Sequence, residues 1–351
     1  MTASVAFQNA PRVLLRQTNN GVSLQSERTA KLGLMLTGRP KAFARTVLPN
    51  LLGLCPVAHA EAFDAACSGQ PVETAALRVA SEAMLEAVRV FVLQWSRFGT
   101  RADSDPEALQ SIGRLRQQLF AATASRSADE SRRVLHETKR FVRAFRYEHE
   151  VTYRSVLDAA RRFDGVVKVA SKRCLSPSVF RRSPVLDGIL DELLADRDFA
   201  VRPRWQGARV LGGLARECER SDKMSDFSMS DIVRVRWEEL GAWASESDAS
   251  VLPFVPHVRV RDDGWRLSAV ETVRGTLLHA VRLQGEMLEG FHMVAPTEWV
   301  FQPEGEIVER LNTVCRRLDP PGNSLRDDLD FVVTLFDACT EVDIVLEESY
   351  A

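Results

Sequence analysis

The stretch LLGLCPVAHAEAF, Leu51 to Phe63, sets one cysteine four residues before one histidine in apolar surroundings. A lone cysteine or histidine in such a setting is more often a packing residue than a ligand. Cys339 stands in LFDACTEVD at the other end of the chain, followed by Glu341 and Asp343. If Cys55 and Cys339 act together, folding must bring the two extremities of the chain side by side. Metal retention at such a site would be coupled to the fold itself.

Moving outward, the N-terminal segment to about Thr37 reads as short and irregular, with NNG at 19–21 as a turn. GRPKAFARTVLPNLLGLCPVAHAEAFDAAC (38–67) reads as helical stretches broken around Pro49 and Gly53. From Val72 to about Asp164 the pattern is helical. Leu77, Ala80, Met84, Leu85, Val88 and Val92 follow three-and-four spacing. Asp105 is placed to cap a helix with Pro106 in its first turn, and residues 129–163 form a third helical pattern with one break. Its Arg132, Arg133, Arg140, Arg143 and Arg146 alternate with Glu130, Glu137, Glu148 and Glu150, which reads as a solvated face rather than a nucleic-acid surface. After Phe254 the period becomes two. HVRVRDDGWRLSAVE and GTLLHAVRLQGEMLEGFHMVAP alternate around DDG and QGE turns, predicting two β-hairpins or a four-stranded meander. A helix over GEIVERLNTVCRRL, a DPPGNS loop and a last segment with LFDAC complete a helix-rich α+β protein.

The chain of 351 residues is 45% hydrophobic and 27% charged, with a formal net charge of −2. That composition is globular and carries no overall basic field for nucleic acid or anionic membrane. The start lacks a signal-peptide core and no run has the length of a membrane span, so the expected location is cytoplasmic. Cys55, Cys67, Cys174, Cys218, Cys315 and Cys339 form no CxxC pair and are expected to be thiols.

Several motifs in order carry a resemblance. LTGRP (36–40) precedes LLGLCPVAH, ETVRGTLLH spans 271–279, APTEW spans 295–299 and FDAC spans 336–339. This series resembles the large subunit of [NiFe] hydrogenases. That family carries a GR-P stretch, R-x-C-G-x-C-x-x-x-H, E-x-x-R-G-x-L-x-H, P-[ST]-x-W and D-P-C-x-x-C. The resemblance covers the first 65 or so residues and the C-terminal hundred, and the middle matches only as helices. It implies a reduced [NiFe] hydrogenase large-subunit-like fold, a central helical bundle with a small antiparallel β-sheet, in one domain over 1–351. Its parts would be a motif segment at 1–70, a helical middle at 72–250, and β-hairpins with the second motif segment at 255–351.

The departures carry as much meaning. Leu52 and Val342 stand where the family has two of its four thiolates, and the histidine that follows D-P-C-x-x-C is missing. Leucine and valine coordinate nothing, so the resemblance implies no nickel site and no hydrogenase activity. What is retained suits an iron carrying two cyanides and one carbon monoxide. Cys55 and Cys339 are the implied metal ligands. Arg274 and Thr297 match residues beside the cyanides, Leu277 matches the dry wall around carbon monoxide, and His59 matches a histidine beside the first cysteine pair. Val273 and Ala338 replace family prolines, which implies a looser pocket.

The combination resembles the HupK/HoxV-type accessory group, which implies a non-enzymatic scaffold for the Fe(CN)2(CO) unit in hydrogenase maturation. The implied partners are a HypC-type chaperone and the hydrogenase large-subunit precursor. A metal-free assembly chaperone is the alternative, with an iron Lewis-acid enzyme behind it. Glu271 and Asp337 are read as buried partners of Arg274 or as caps, Cys67 as a small core residue or spare ligand, and His279 and His292 as structural.

Overall fold

The computed structural model describes residues 13–18, 21–26, 31–99, 105–221, 225–248, 251–317 and 325–346. Its strands are β1 (Val13–Thr18), β2 (Gly21–Ser26), β3 (Lys168–Val169), β4 (Phe227–Ser228), β5 (His257–Val260), β6 (Trp265–Thr272), β7 (Gly275–Gln284), β8 (Met287–Val294) and β9 (Val342–Leu346). The helices before the meander are α1 (Lys31–Leu36), α2 (Lys41–Leu51), α3 (Pro56–Ser68), α4 (Ala75–Val90), α5 (Pro106–Ser125), α6 (Ala128–Glu148), α7 (Glu150–Arg161), α8 (Ser183–Ala195), α9 (Gly213–Ser221) and α10 (Met229–Ser245). After it come α11 (Pro296–Val300), α12 (Glu306–Arg317) and α13 (Leu325–Leu335). Among the described residues no helix is long and apolar enough to cross a membrane.

The alternating stretch after Phe254 forms the expected meander, an antiparallel sheet in the order β5-β6-β7-β8. Successive side chains of a strand face opposite sides, and β7 uses both. Leu278 and Ala280 pack with Leu186, Ile189, Leu190 of α8 and Trp299. Leu277 joins the main core, His279 meets His59 of α3, and Val281 packs with Phe63 of α3 and Phe291. Thus α3 lies on one face of the sheet, with α4 behind it and α5, α6, α7 and α10 completing a helical layer. Asp105 caps α5 by accepting from the Ala108 amide at 2.9 Å, and the helical run from 129 breaks at His149 between α6 and α7.

Three expectations change. The N-terminal segment is not irregular: β1 pairs antiparallel with β2, with Val13, Leu15, Val22 and Leu24 buried. Of the NNG turn, Asn19 and Asn20 lie outside the described residues, as does the DPPGNS loop. Pro49 sits inside α2, and the chain breaks after Leu51; a proline this close to a helix end removes one bond from a turn that is ending anyway. The arginines of α6 are not one solvated face. Arg143 donates to the Ala244 carbonyl at 2.5 Å, and Arg146 lies 5.1 Å from the Trp237 ring centre, so both grip α10; Arg132, Arg133, Arg140 and Arg143 are exposed, and Arg146 is half-buried.

The chain's extremities meet in a second sheet, ordered β2-β1-β9. β9 runs parallel to β1, Val13 opposite Val342 and Leu15 opposite Ile344. This pairing fixes the segment carrying Cys339 within the same body as the one carrying Cys55.

Candidate functional site

The tip of the β6–β7 hairpin is Val273–Arg274, closed by the Thr272–Gly275 pair. Thr272 Oγ1 donates to the Gly275 carbonyl at 2.8 Å and accepts from the Arg274 amide at 3.2 Å. Gly275 has φ +127°, and a Cβ there would stand 2.5 Å from Leu211 Cβ; one on Gly212 would stand 2.7 Å from the Arg274 carbonyl. Only glycine at both places lets the two backbones touch. Arg216 of α9 completes the clamp. It holds Glu239 through Nε (2.6 Å) and Nη2 (2.9 Å), pairs with Glu271, and donates to the carbonyls of Thr272 (3.0 Å) and Val273 (3.2 Å). Val273 is fully buried in the core.

Held this way, the Arg274 guanidinium joins both ends of the chain. Nη1 donates to Cys55 Sγ at 3.3 Å and lies 3.6 Å from Glu86 Oε2. Nε donates to Asp337 Oδ1 at 3.1 Å and to its carbonyl at 3.2 Å, and Nη2 is 2.9 Å from Oδ1. Asp337 is therefore the buried partner of Arg274, whereas Glu271 belongs to Arg216 and accepts from Thr276 Oγ1 at 2.6 Å. Four described non-glycine residues have positive φ, and two of them, Cys55 (56°) and Asp337 (50°), are the two that touch Arg274. Such backbone costs about 1–3 kcal/mol per residue and persists where surrounding contacts over-determine it. Burial pushes the Cys55 thiol well above its ordinary range, with Arg274 pulling the other way.

Thr297, at the start of α11, accepts the Cys339 backbone amide on Oγ1 at 3.0 Å. That bond fixes the loop just after Asp337 and leaves the hydroxyl proton to be donated elsewhere. Leu277 is buried in the same core cluster as Cys55. His59 sits one turn into α3, its amide bonded to the Cys55 carbonyl at 3.1 Å. Its Nδ1 is 3.0 Å from Nε2 of the fully buried His279. Burial, and then the neighbouring His59, hold His279 well below the usual histidine range. His279 is thus a neutral partner for His59.

The sequence reading missed a charged stripe behind Cys55. Arg78, Glu82 and Glu86 recur every four residues on α4, and all are buried. Arg78 pairs with Glu61 of α3 at 2.6 Å, and Glu86 binds Arg89 and Arg116. Glu82 accepts the amides of Val57 (2.8 Å) and Ala58 (2.7 Å), supplying the cap that α3 lacks locally. Four-residue spacing of charges in an otherwise Ala/Val/Leu helix was the available signal.

Burial pushes the Glu82 carboxyl up to about 8, while its two amide bonds pull it down. A raised carboxyl favours folding fully below its ordinary pKa of 4.5 and loses that contribution as pH rises through 8. The unfolding free energy of the native protein minus that of Glu82→Gln should therefore fall from pH 5 to 8, by up to about 4 kcal/mol at about 1.4 per pH unit. A difference that stays flat across those pH values would refute the shift.

The remaining cysteines lie elsewhere. Burial pushes the Cys67 thiol up to about 12, and it packs with the α2–α3 cluster. Cys218 donates to the Ser171 carbonyl at 3.9 Å, and Cys174 and, on α12, Cys315 are half-buried. Among the described residues no group of three or more His, Cys, Asp or Glu forms a metal cluster. The donor set at the hairpin is instead two soft sulfurs, a guanidinium and a hydroxyl. That set is compatible with a metal fragment bringing most of its own ligands, which Cys55 and Cys339 would bind and to which Arg274 and Thr297 would donate hydrogen bonds.

No family model matches the chain. It is similar to the hydrogenase expression/formation protein HupK of Bradyrhizobium diazoefficiens, 27% identical over 366 residues and 99% of each chain. It is also similar to the hydrogenase expression/formation protein HoxV of Cupriavidus necator, 25% identical over 368 residues and 93% of each chain. Among solved structures, an NAD+-reducing [NiFe]-hydrogenase in the H2-reduced state superposes with a TM-score of 0.59 at 15% identity, covering 91% of this chain and 92% of that one. The reduced Ni-Fe-Se hydrogenase of D. vulgaris Hildenborough gives 0.57 at 15%, covering 91% and 93%. Along nearly its full length, then, the chain is a homologue of the hydrogenase expression/formation proteins HupK and HoxV, and it has the fold of a [NiFe] hydrogenase large subunit.

Proposed function

We propose that the protein is a non-enzymatic scaffold in hydrogenase maturation, holding an Fe(CN)2(CO) unit between Cys55 and Cys339 before it passes to the large-subunit precursor. The observation that carries this reading is the single buried guanidinium of Arg274, bonded at once to the Cys55 thiol and to Asp337, two residues from Cys339. An iron with three diatomic ligands needs few bonds from protein, and two thiolates supply them. Arg274 and the Thr297 hydroxyl are donors suited to cyanide nitrogens, and Leu277 contributes apolar wall. Nickel would need sulfur where Leu52 and Val342 stand. The elevated Cys55 thiol means that loading releases a proton, so retention weakens as pH falls. A HypC-type chaperone is the proposed donor of the unit, and the large-subunit precursor its acceptor.

The test is an infrared spectrum with iron and nickel counts on protein purified without oxygen from cells expressing the maturation machinery. Cyanide and carbonyl bands with iron and no nickel are expected, and both Cys55→Ala and Cys339→Ala should lose them. A protein without bands or iron that still binds the precursor would sink the carrier and leave a metal-free assembly chaperone.

A further inference from the structure

Behind Arg274, on the side of α9 and α10, lies a cavity that no part of the cargo reading uses. Its wall includes Arg236, Arg274, Leu214, Ile232, Val300 and Phe336, and its volume is about 40 Å³. At 10–15 Å³ per water that is room for roughly three small atoms. Neither Cys55 nor Thr297 lines it, and its wall includes no acidic residue among those described. Apart from the two arginines, every side chain that lines it is apolar.

Those guanidiniums are incompletely satisfied. Arg236 Nη1 is buried without a hydrogen-bond partner, and its nearest acid, Asp337, is 3.6 Å away, beyond hydrogen-bond length. Arg274 Nη2 lies close to Asp337 Oδ1 but makes no aligned hydrogen bond. Asp337 thus serves two arginines, Glu86 is divided among Arg89, Arg116 and, at 3.6 Å, Arg274, and Arg216 is occupied by Glu239 and Glu271. Burial, outweighing Asp337, lowers Arg236 from the usual arginine range. A buried charged donor left unmade is among the costlier defects of a folded protein. An anion in the cavity would remove it.

We infer that this cavity is a binding site for one small planar oxyanion of the formate or bicarbonate class, held between Arg236 and Arg274. Size follows from the volume, which admits a planar anion of three or four heavy atoms and excludes the tetrahedral phosphate and sulfate that a guanidinium would bind as readily. The two unpartnered nitrogens, Arg236 Nη1 and Arg274 Nη2, offer one donor each to such an anion. Single charge follows from the arginines outnumbering the nearby carboxylates, Asp337 and Glu86, the latter also paired with Arg89 and Arg116. The apolar remainder of the wall excludes anions that bring a hydration shell. The inference does not rest on the iron cargo, and it is tested on protein made in cells lacking the maturation machinery.

Sodium formate is titrated against sodium chloride at matched ionic strength, following the thermal unfolding midpoint and the linewidth of 13C-formate. A saturable rise in midpoint with formate, accompanied by line broadening, is expected, with little response to chloride. Arg236→Met should weaken formate binding at least tenfold. Ile232→Phe, which fills the cavity while leaving both guanidiniums, should do the same and guards against a misfolded first variant. Bicarbonate competing with formate would extend the site to both anions; failure to compete would narrow it to formate-sized ligands. No saturable formate binding by the native protein, or unchanged binding in Ile232→Phe, would overturn the site. Arg236 would then be satisfied by closing directly onto Asp337.

Discussion

Replacing Arg216 by leucine is expected to cost about 3–5 kcal/mol of folding stability, the range for breaking a buried ion pair from one side. The substitution strands Glu239 and Glu271 together, both buried, with no cation between them. It also frees the carbonyls of Thr272 and Val273, which Arg216 holds at 3.0 and 3.2 Å. Burial already pushes the Glu271 carboxyl up despite Arg216, and without the arginine it rises further. The sign of the pH dependence follows. A raised carboxyl disfavours the folded state above its ordinary pKa, so the penalty should be largest at neutral pH and shrink toward pH 5 as the acids take up protons. Denaturant unfolding at both pH values measures this. A loss below about 1 kcal/mol at pH 7 would mean that the two acids share a proton without help. Because the two carbonyls immediately precede Arg274, the variant should also lose the iron unit proposed to bind at Cys55, whereas Arg216→Lys should recover part of the stability and little of the bidentate geometry.

What made the site legible was chemistry concentrated in short motifs. Cys55, Arg274, Thr297 and Cys339 each stand in a stretch whose residue types are constrained, and the structure places Arg274 on Cys55 and Thr297 on Cys339. The meander was legible because DDG and QGE interrupt strands of period two, and Gly264 and Gly285 take the positive φ those turns require. The N-terminal strands were harder to see, since only Val13, Leu15, Val22 and Leu24 mark the inner face, and half of the stabilising pairing comes from β9, more than three hundred residues away. Local pattern carries no information about such a partner. The same limit hid Arg216. A charged residue on a helix is ordinarily solvated, and only the tertiary fold reveals that Arg216 faces β6 and the hairpin tip, whereas Glu82 left a trace in the four-residue spacing of charges on α4. Asp337 and Glu271 were interchangeable as partners for Arg274 until the hairpin tip and the loop after α13 were placed in space.

The interaction between Arg274 and Asp337 should be the strongest pairwise coupling in the site. Arg274→Met leaves Asp337 with only the distant Arg236, and Asp337→Asn leaves two guanidiniums without a full counter-charge; each is expected to cost about 3–5 kcal/mol. Asparagine is chosen because position 337 has φ 50°, a conformation that Asn tolerates. In the double variant both charges are gone, so its cost should fall short of the sum by roughly 1–3 kcal/mol. The two single variants are separated by Cys55. Arg274 opposes the effect of burial on that thiol, so Arg274→Met should raise its pKa further and slow its alkylation at fixed pH. Asp337→Asn leaves the positive charge of Arg274 less compensated and should lower the thiol and speed alkylation. Mass spectrometry of the Cys55 peptide over a range of pH, under conditions where both variants remain folded, reads the two directions. Shifts of the same sign would show that Cys55 responds to loosened packing, and that the guanidinium does not link the two ends of the chain electrostatically.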